Sequence, residues 1–459
     1  MKNYFWHQFQ RFRIWYSSLR PTYALVVGIF LYAFVTFVLL SLPICRKNSD
    51  VPLIDALFMA LSVSSTAGLQ VVSVTDTYNG LGQFIILVSI QCAGLGYMTL
   101  GSIIILASKG HLSKNRLKVG KAVLSMPESF DPVRFLKHIA VFTLSFELIG
   151  AFVLWLGFRA AGTPNPLWAA IFHAISSFCT AGISVFPDNL EPFADNVMIS
   201  LTISLLCLLG GIGFIVLEDF YRSIKYKSVR ATLTTRIILV ATFGALFVGT
   251  AFLFFDPYIA SFPLKKRFLV AFFQTVSSLT TTGFHTVPIS NLTGATVVIV
   301  IILMTLGPSP SGTGGGLKTT TWSAALAAIL SFVRGSDEIT FFRNKVPQGR
   351  ITAAFATITL YLIALAIGTY CLLLADTNPF ECVLFEVAAA LSLCGLSYSI
   401  TPELSTTGKT IIILMMYVGR LGVVSLALGA VALYHDMVHD SDHSAPSPPP
   451  PLAEDDIVL

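Results

Sequence analysis

The chain has 459 residues, of which 54% are apolar and 12% charged, and its mean hydropathy is +0.77. That balance excludes a soluble globular domain and puts the chain in a lipid bilayer. The net charge of +5 comes from short basic runs between apolar stretches rather than from one basic patch, so membrane topology accounts for it and no nucleic-acid partner is expected.

Residues 1–21 form a basic N-terminus, and the apolar stretch that follows, 22–42, is long enough to cross about 30 Å of hydrocarbon at about 1.5 Å per residue. It lacks the short core and small-residue cleavage site of a secretory signal, so it reads as a retained helix. Further spans are predicted near 80–107, 138–158, 195–217, 237–255, 292–330, 352–375 and 409–434, eight in all. Lys and Arg number twenty in 1–21, 108–137, 218–236 and 331–352, against seven on the opposite side. By the positive-inside rule those segments, and both termini, are cytoplasmic in a multi-pass protein of the cell (inner) membrane. The run Lys265, Lys266, Arg267 is the exception. The tail, 435–459, is acidic and proline-rich and is expected to be disordered. Seven cysteines without a CxxC pair suggest neither a disulfide framework nor a metal site.

Each external connection holds an apolar segment of about 12 residues, too short to span and suited to re-entry. They read FMALSVSSTAGL (58–69), FHAISSFCTAGI (172–183), FQTVSSLTTTGF (273–284) and FEVAAALSLCGL (385–396). All four follow one pattern: Phe, nine residues, Gly, then a large apolar residue. The chain thus divides into repeat 1 (22–107), a cytoplasmic loop (108–137), repeat 2 (138–217), a loop (218–236), repeat 3 (237–330), a loop (331–351) and repeat 4 (352–434). The expected fold is an all-α integral membrane protein of four membrane-pore-membrane repeats. Eight transmembrane helices and four re-entrant pore loops would surround one pore.

A cation crossing a membrane exchanges its water shell for other oxygens, and backbone carbonyls supply these where glycine lets the chain extend toward a pore axis. The candidate selectivity filter is Thr66, Ala67 and Gly68; Thr180, Ala181 and Gly182; Thr281, Thr282 and Gly283; and Leu393, Cys394 and Gly395. Short helices ending at these positions would present partial negative charge to the cation. Glycine also serves close helix packing, a reading that suits one glycine better than four in register. Ser65, Thr66, Thr180 and Thr281 either line the path or cap the short helices.

The sixth span is interrupted by GPSPSGTGGGLKTTT (307–321), with five glycines and two prolines in its first ten residues, which no continuous helix survives. A phosphate-binding loop requires Gly before the lysine, where Leu317 stands. The candidate gate comprises Gly307, Gly312, Thr313, Gly314, Gly315, Gly316 and Lys318, together with Arg420. A charge at the centre of a span costs about 2.5–3.5 kcal/mol. Snorkelling would suit Lys318, whereas Arg420, about fourteen residues short of the cytosol, is expected to donate to carbonyls of 307–316. His173 and His285 read as packing or hydrogen-bonding residues. Glu147 and Glu386 either balance buried positive charge or face water, and Asp188, Glu191 and Asp195 either concentrate cations outside the pore or belong to a solvated loop. No nucleophile, acid–base set or metal cluster rises above background, so no enzyme is expected.

The four glycine-centred segments, the 307–321 loop and the GRLG motif at 419–422 together resemble the Trk/Ktr/HKT superfamily of potassium transporters over nearly the whole chain. Eight spans without an added N-terminal pair look most like the Ktr-type membrane (ion-translocating) subunit. The resemblance implies potassium uptake through a channel-like pore, with K+ as the transported ion and Na+ as a second candidate through sodium-dependent symport. It implies no covalent cofactor and no metal beyond the transported K+. It further implies a homodimer in the lipid bilayer, seated on a cytoplasmic ring of nucleotide-binding regulatory subunits, with the broken helix as gate and Arg420 in contact with it. In this superfamily a serine at the first filter glycine goes with sodium conduction, and Gly68 stands there. The fourth segment, LSLCGL, departs most from a TVGYG-like filter. The rival reading is an alternating-access secondary cation transporter, which also uses repeats and broken helices. Repeats that share one orientation argue against it, and four retained glycines argue against a non-conducting assembly subunit.

Overall fold

The computed structural model describes residues 21–47, 51–107, 132–225, 231–336, 338–342 and 344–423. The expectations for the N-terminus up to 20, for 108–131, and for everything beyond 423, the acidic tail included, lie outside them.

A long, short, long order of helices recurs along the chain. It begins with α1 (Pro21–Ser41), α2 (Leu53–Ser65) and α3 (Gly80–Ala107). It returns as α4 (Pro132–Ala160), α5 (Pro166–Phe178) and α6 (Val197–Ile212), with α7 (Phe214–Lys225) directly after. The third round is α8 (Leu233–Phe254), α9 (Leu264–Leu279) and α10 (Gly294–Leu306), with α11 (Thr319–Val333) beyond a break. A two-residue hairpin, β1 (Thr340–Phe341) with β2 (Asn344–Lys345), leads into α12 (Gln348–Ala375), α13 (Phe380–Ser392) and α14 (Thr406–Leu421). Proline starts every short helix: Pro52, Pro263 and Pro379 stand immediately before α2, α9 and α13, and Pro166 opens α5. Proline has no N–H to leave unsatisfied in the first turn, and its fixed φ suits entry into a helix.

The expected continuous span over 195–217 does not form. Its helix stops at Ile212, Gly213 takes φ +85°, and α7 leaves at 92° to α6. Glycines at 210, 211 and 213 weaken the helix there, and a tertiary partner described below fixes the turn.

Within each round the first long helix packs on its own short helix: α1 on α2, α4 on α5, α8 on α9 and α12 on α13. The third helix packs on the next round's short helix: α3 on α5, α6 on α9 and α10 on α13. The last contact, α14 on α2, joins the final round to the first. A partly buried ion pair reinforces that seam, with Lys409 Nζ of α14 2.6 Å from Asp55 Oδ1 of α2. Phe58, Phe172, Phe273 and Phe385 are all buried at equivalent places in the short helices. In lipid such burial stabilises by close packing rather than by removal from water. The outer faces are apolar, with Leu148, Phe152, Phe247 and Ile367 exposed. Among the described residues Lys137–Ala160, Leu233–Phe254 and Gln348–Ala375 are long and apolar enough to cross a membrane, and α6 with α7 makes a fourth if the bent pair is one span.

Candidate selectivity filter and gate

The four short helices end alike. At their C-termini the N–H groups of Ala67, Ala181, Thr282 and Cys394 donate to the carbonyls of Ser62, Ser176, Ser277 and Ala389 at 2.8–2.9 Å. The preceding residue in each case, Thr66, Thr180, Thr281 or Leu393, is left-handed with φ between 49° and 57°. This is the Schellman ending, in which glycine ordinarily takes the left-handed place. Three β-branched threonines and a leucine there are strained, and such strain concentrates at functional sites.

Two residues further on come the predicted glycines, and the structure brings the twelve candidate filter residues together, all buried except the half-buried Gly395. At Gly68, φ is +80°, and a Cβ would overlap the Ala181 carbonyl and stand 3.0 Å from Gly395 Cα. A Cβ on Gly182 would overlap the Thr282 carbonyl, one on Gly283 would overlap Gly395 Cα, and one on Gly395 would come within 2.9 Å of Gly68 Cα. The four segments therefore meet backbone to backbone in the cyclic order of the packing, and only glycine permits that approach. In three of them a helix serine pins the outgoing chain. Ser62 Oγ donates to Leu69 O (2.6 Å), Ser176 Oγ donates to Ile183 O (2.9 Å), and Gly283 N donates to Ser277 Oγ (3.1 Å). The fourth segment has Ala389 there, and Gly395 stays out of the left-handed region.

The loop between α10 and α11 lies directly against these ends. Thr313 Oγ1 is 3.0 Å from Thr180 Oγ1 and donates to Phe178 O at 3.1 Å. Gly315 N donates to Thr281 Oγ1 at 2.9 Å, and a Cβ on Gly315 would overlap Ser392 O and crowd Leu393 Cβ. On its far side the loop is bonded to the α6–α7 turn. Ser309 N and Thr313 N donate to Gly211 O and Gly210 O, both at 3.1 Å, while Ser311 accepts from Phe214 N on its carbonyl and from Ile215 N on Oγ, both at 3.3 Å. This joint is absent from the sequence-based expectations. Its only signal is the glycine cluster 210–213, which composition alone does not distinguish from a packing face.

Lys318 Nζ curls back to donate to the carbonyls of Gly314 and Gly315, the latter at 2.9 Å. Arg420, buried on α14, donates through Nη1 to Thr66 Oγ1 at 3.1 Å and through Nη2 to Ala93 O. Lys318 thus donates to the loop carbonyls, and these two Arg420 bonds tie α14 to the first filter segment and to α3. Thr66, Thr180 and Thr281 all turn their hydroxyls to this layer, the candidate gate.

His173 is held by hydrogen bonds, its Nδ1–H donating to Ala169 O at 2.8 Å. His285 Nε2 is 3.4 Å from Glu191 Oε1, and Lys266 Nζ is 3.2 Å from Asp195 Oδ2. Asp195 is therefore opposed by a lysine, Glu191 lies beside the His285 imidazole, and Asp188 is exposed. Glu147 lies buried behind the second segment, where its Oε2 accepts from Gln91 Nε2 at 3.0 Å.

A family model, TrkH, described as a cation transport protein, matches residues 32–441. The chain is 32% identical to the Ktr system potassium uptake protein B of Bacillus subtilis, covering 88% of this chain and 91% of that one. It is 30% identical to the potassium/sodium uptake protein NtpJ of Enterococcus hirae, covering 89% and 92%. Among solved structures, the potassium transporter TrkH from Vibrio parahaemolyticus has the same fold, with a TM-score of 0.70 at 20% identity over 90% of this chain and 85% of that one. The chain belongs to the TrkH family of cation transport proteins, and is a multi-pass membrane transporter rather than an enzyme.

Proposed function

We propose that this chain is the ion-translocating membrane subunit of a potassium uptake system, and that K+ passes through the ring formed by residues 66–68, 180–182, 281–283 and 393–395. The observation that carries this reading is the cyclic approach of the four glycine segments, each at the end of a buried short helix whose partial negative charge favours a cation. In this reading α2, α5, α9 and α13 are re-entrant. The long helices make eight spans, with α10 and α11 as one broken span, both termini are cytoplasmic, and the protein sits in the cell (inner) membrane. Non-helical backbone at membrane depth is tolerated where it lines a wet cavity or is buried in protein, which suits both the filter segments and the 307–318 loop. That loop, with Lys318, closes the path beneath the filter. The names of the relatives support potassium as the main ion and sodium as a second or coupling ion. The Ktr relatives are named as parts of a system, which supports a chain that works with other subunits; in this reading it is a homodimer seated on a cytoplasmic nucleotide-binding regulatory ring.

The test is rubidium uptake and potassium-limited growth in uptake-deficient cells, with and without a candidate regulatory subunit. Uptake is expected in at least one condition. Absence of uptake in both, with the protein demonstrably in the membrane, would overturn the reading. Gly68→Ser places a side chain against the Ala181 carbonyl, and is expected to lower discrimination against sodium by about tenfold, the equivalent of one hydrogen bond. Unchanged discrimination would remove Gly68 from the filter.

A further inference from the structure

The residue after the buried Phe of each short helix is Met59, His173, Gln274 or Glu386. Three of these are fully buried polar groups, and each reaches the chain leaving the filter on its own segment. Ser184 Oγ pairs with His173 Nε2 at 3.0 Å, which accepts because Nδ1 carries the proton. Thr286 N donates to Gln274 Oε1 at 3.2 Å. On the fourth segment Tyr398 N donates to Glu386 Oε1 at 2.9 Å, Ser397 Oγ donates to the same oxygen, and Thr401 Oγ1 donates to Oε2 at 2.8 Å. The first segment, with Met59, has no such group and is held at its base by Arg420 on Thr66.

The fourth segment depends most on this contact. Ala389 replaces the pinning serine, Leu393 replaces the threonine that turns to the gate layer, and Gly395 lacks the left-handed conformation of its counterparts. Glu386 meets this deficit with both carboxyl oxygens. We propose that Glu386 is a positioning residue for ion selection, fixing the outgoing chain 395–401 so that the fourth wall of the filter keeps its place. The inference rests on the filter reading above. A cage of carbonyls discriminates by the number and field of its oxygens, and one wall free to relax changes both.

The experiment measures inhibition of rubidium uptake by sodium in cells expressing Glu386→Leu, Glu386→Gln, Thr401→Val or Gly68→Ser, with membrane levels determined for each. Glutamine keeps one oxygen for Tyr398 and Ser397 and offers its amide to the Thr401 hydroxyl, so Glu386→Gln is expected to stay within about threefold of the parent discrimination. Glu386→Leu is expected to lose about tenfold or more, with Thr401→Val between the two. Parent-like discrimination in Glu386→Leu overturns the proposal. So does an equal loss in Glu386→Gln and Glu386→Leu, which marks general disruption. If Glu386→Leu does not reach the membrane, Thr401→Val decides, and parent-like discrimination there overturns the proposal. Gly68→Ser separates the two levels. If it shifts selectivity while Glu386→Leu does not, only the brace fails; if it too is unaltered, the filter reading fails.

Discussion

The side-chain oxygens of Thr180 and Thr313 lie 3.0 Å apart, one in the second filter segment and the other in the loop that breaks the third round of helices. Thr313 also reaches the Phe178 carbonyl, and Gly315 of the same loop reaches Thr281. The loop therefore cannot leave the filter without releasing hydroxyls at two segments. If the arrangement is the closed one, Thr313→Val removes the shared bond at nearly constant volume. It is expected to favour opening by about 1 kcal/mol, a several-fold rise in uptake without the regulatory subunit. Rubidium influx in its absence checks this, and parent-like or lower influx would separate Thr313 from the gate.

Arg420 binds the first filter segment and α3, so its loss is expected to affect more than gating. Arg420→Ala removes the charged donor to the Ala93 carbonyl and to the Thr66 hydroxyl, which keeps its own bond to the Ser65 carbonyl, and hydrogen bonds from a charged group contribute about 1.5–3 kcal/mol each. The expected outcome is higher basal uptake together with weaker sodium discrimination and a lower unfolding temperature in detergent. Unchanged conductance and gating would refute any part for Arg420 in the gate, and raised uptake with intact discrimination would confine it to gating.

Gly213→Ala tests the joint between the loop and the α6–α7 turn. Its Cβ would stand 2.5 Å from Gly312 N and Ser311 Oγ, at a φ of +85° that alanine rarely adopts. The strain and overlap are expected to cost about 1–3 kcal/mol. Thermal unfolding of the purified protein should show a clear loss of stability, and gating by the regulatory subunit should weaken. A variant as stable as the parent would mean that the turn is not fixed by Ser311.

Asp256 follows α8 outside the helix and accepts from Thr293 N and Oγ1 at 3.1 and 2.8 Å, joining the end of α8 to the start of α10. Burial raises its carboxyl, but hydrogen bonds from Thr296, Thr293 and Ile259 outweigh burial and hold it below the ordinary carboxylate value. A depressed folded value means that its stabilisation is complete above the unfolded value, near 3.9 for aspartate, and is lost as pH falls through the folded one. Asp256→Asn is expected to be less stable than the parent by about 1–3 kcal/mol at neutral pH, with the gap closing in strong acid. Unfolding temperatures of both proteins across pH 7 to 3 measure it. A gap that widens in acid would reverse the assigned sign.

Apolar spans, the fourfold repeat, its glycines and the break at 307–318 were legible in the sequence because each is a local property of composition and spacing. A run of about twenty apolar residues must be helical in lipid, and no helix survives GPSPSGTGGG. What the tertiary structure decided is which groups those local features meet. The order of the ring rests on α14 returning to α2, and Arg420 finds Thr66 across 354 residues of sequence. The α6–α7 turn at Gly213 needs Ser311, and the Thr66 and Thr180 hydroxyls, which donate to the helix-end carbonyls of Ser65 and Cys179, also meet Arg420 and Thr313, while Thr281 meets Gly315. Hydrogen bonds depend on direction and distance between groups brought together only by packing, and periodicity carries no information about either.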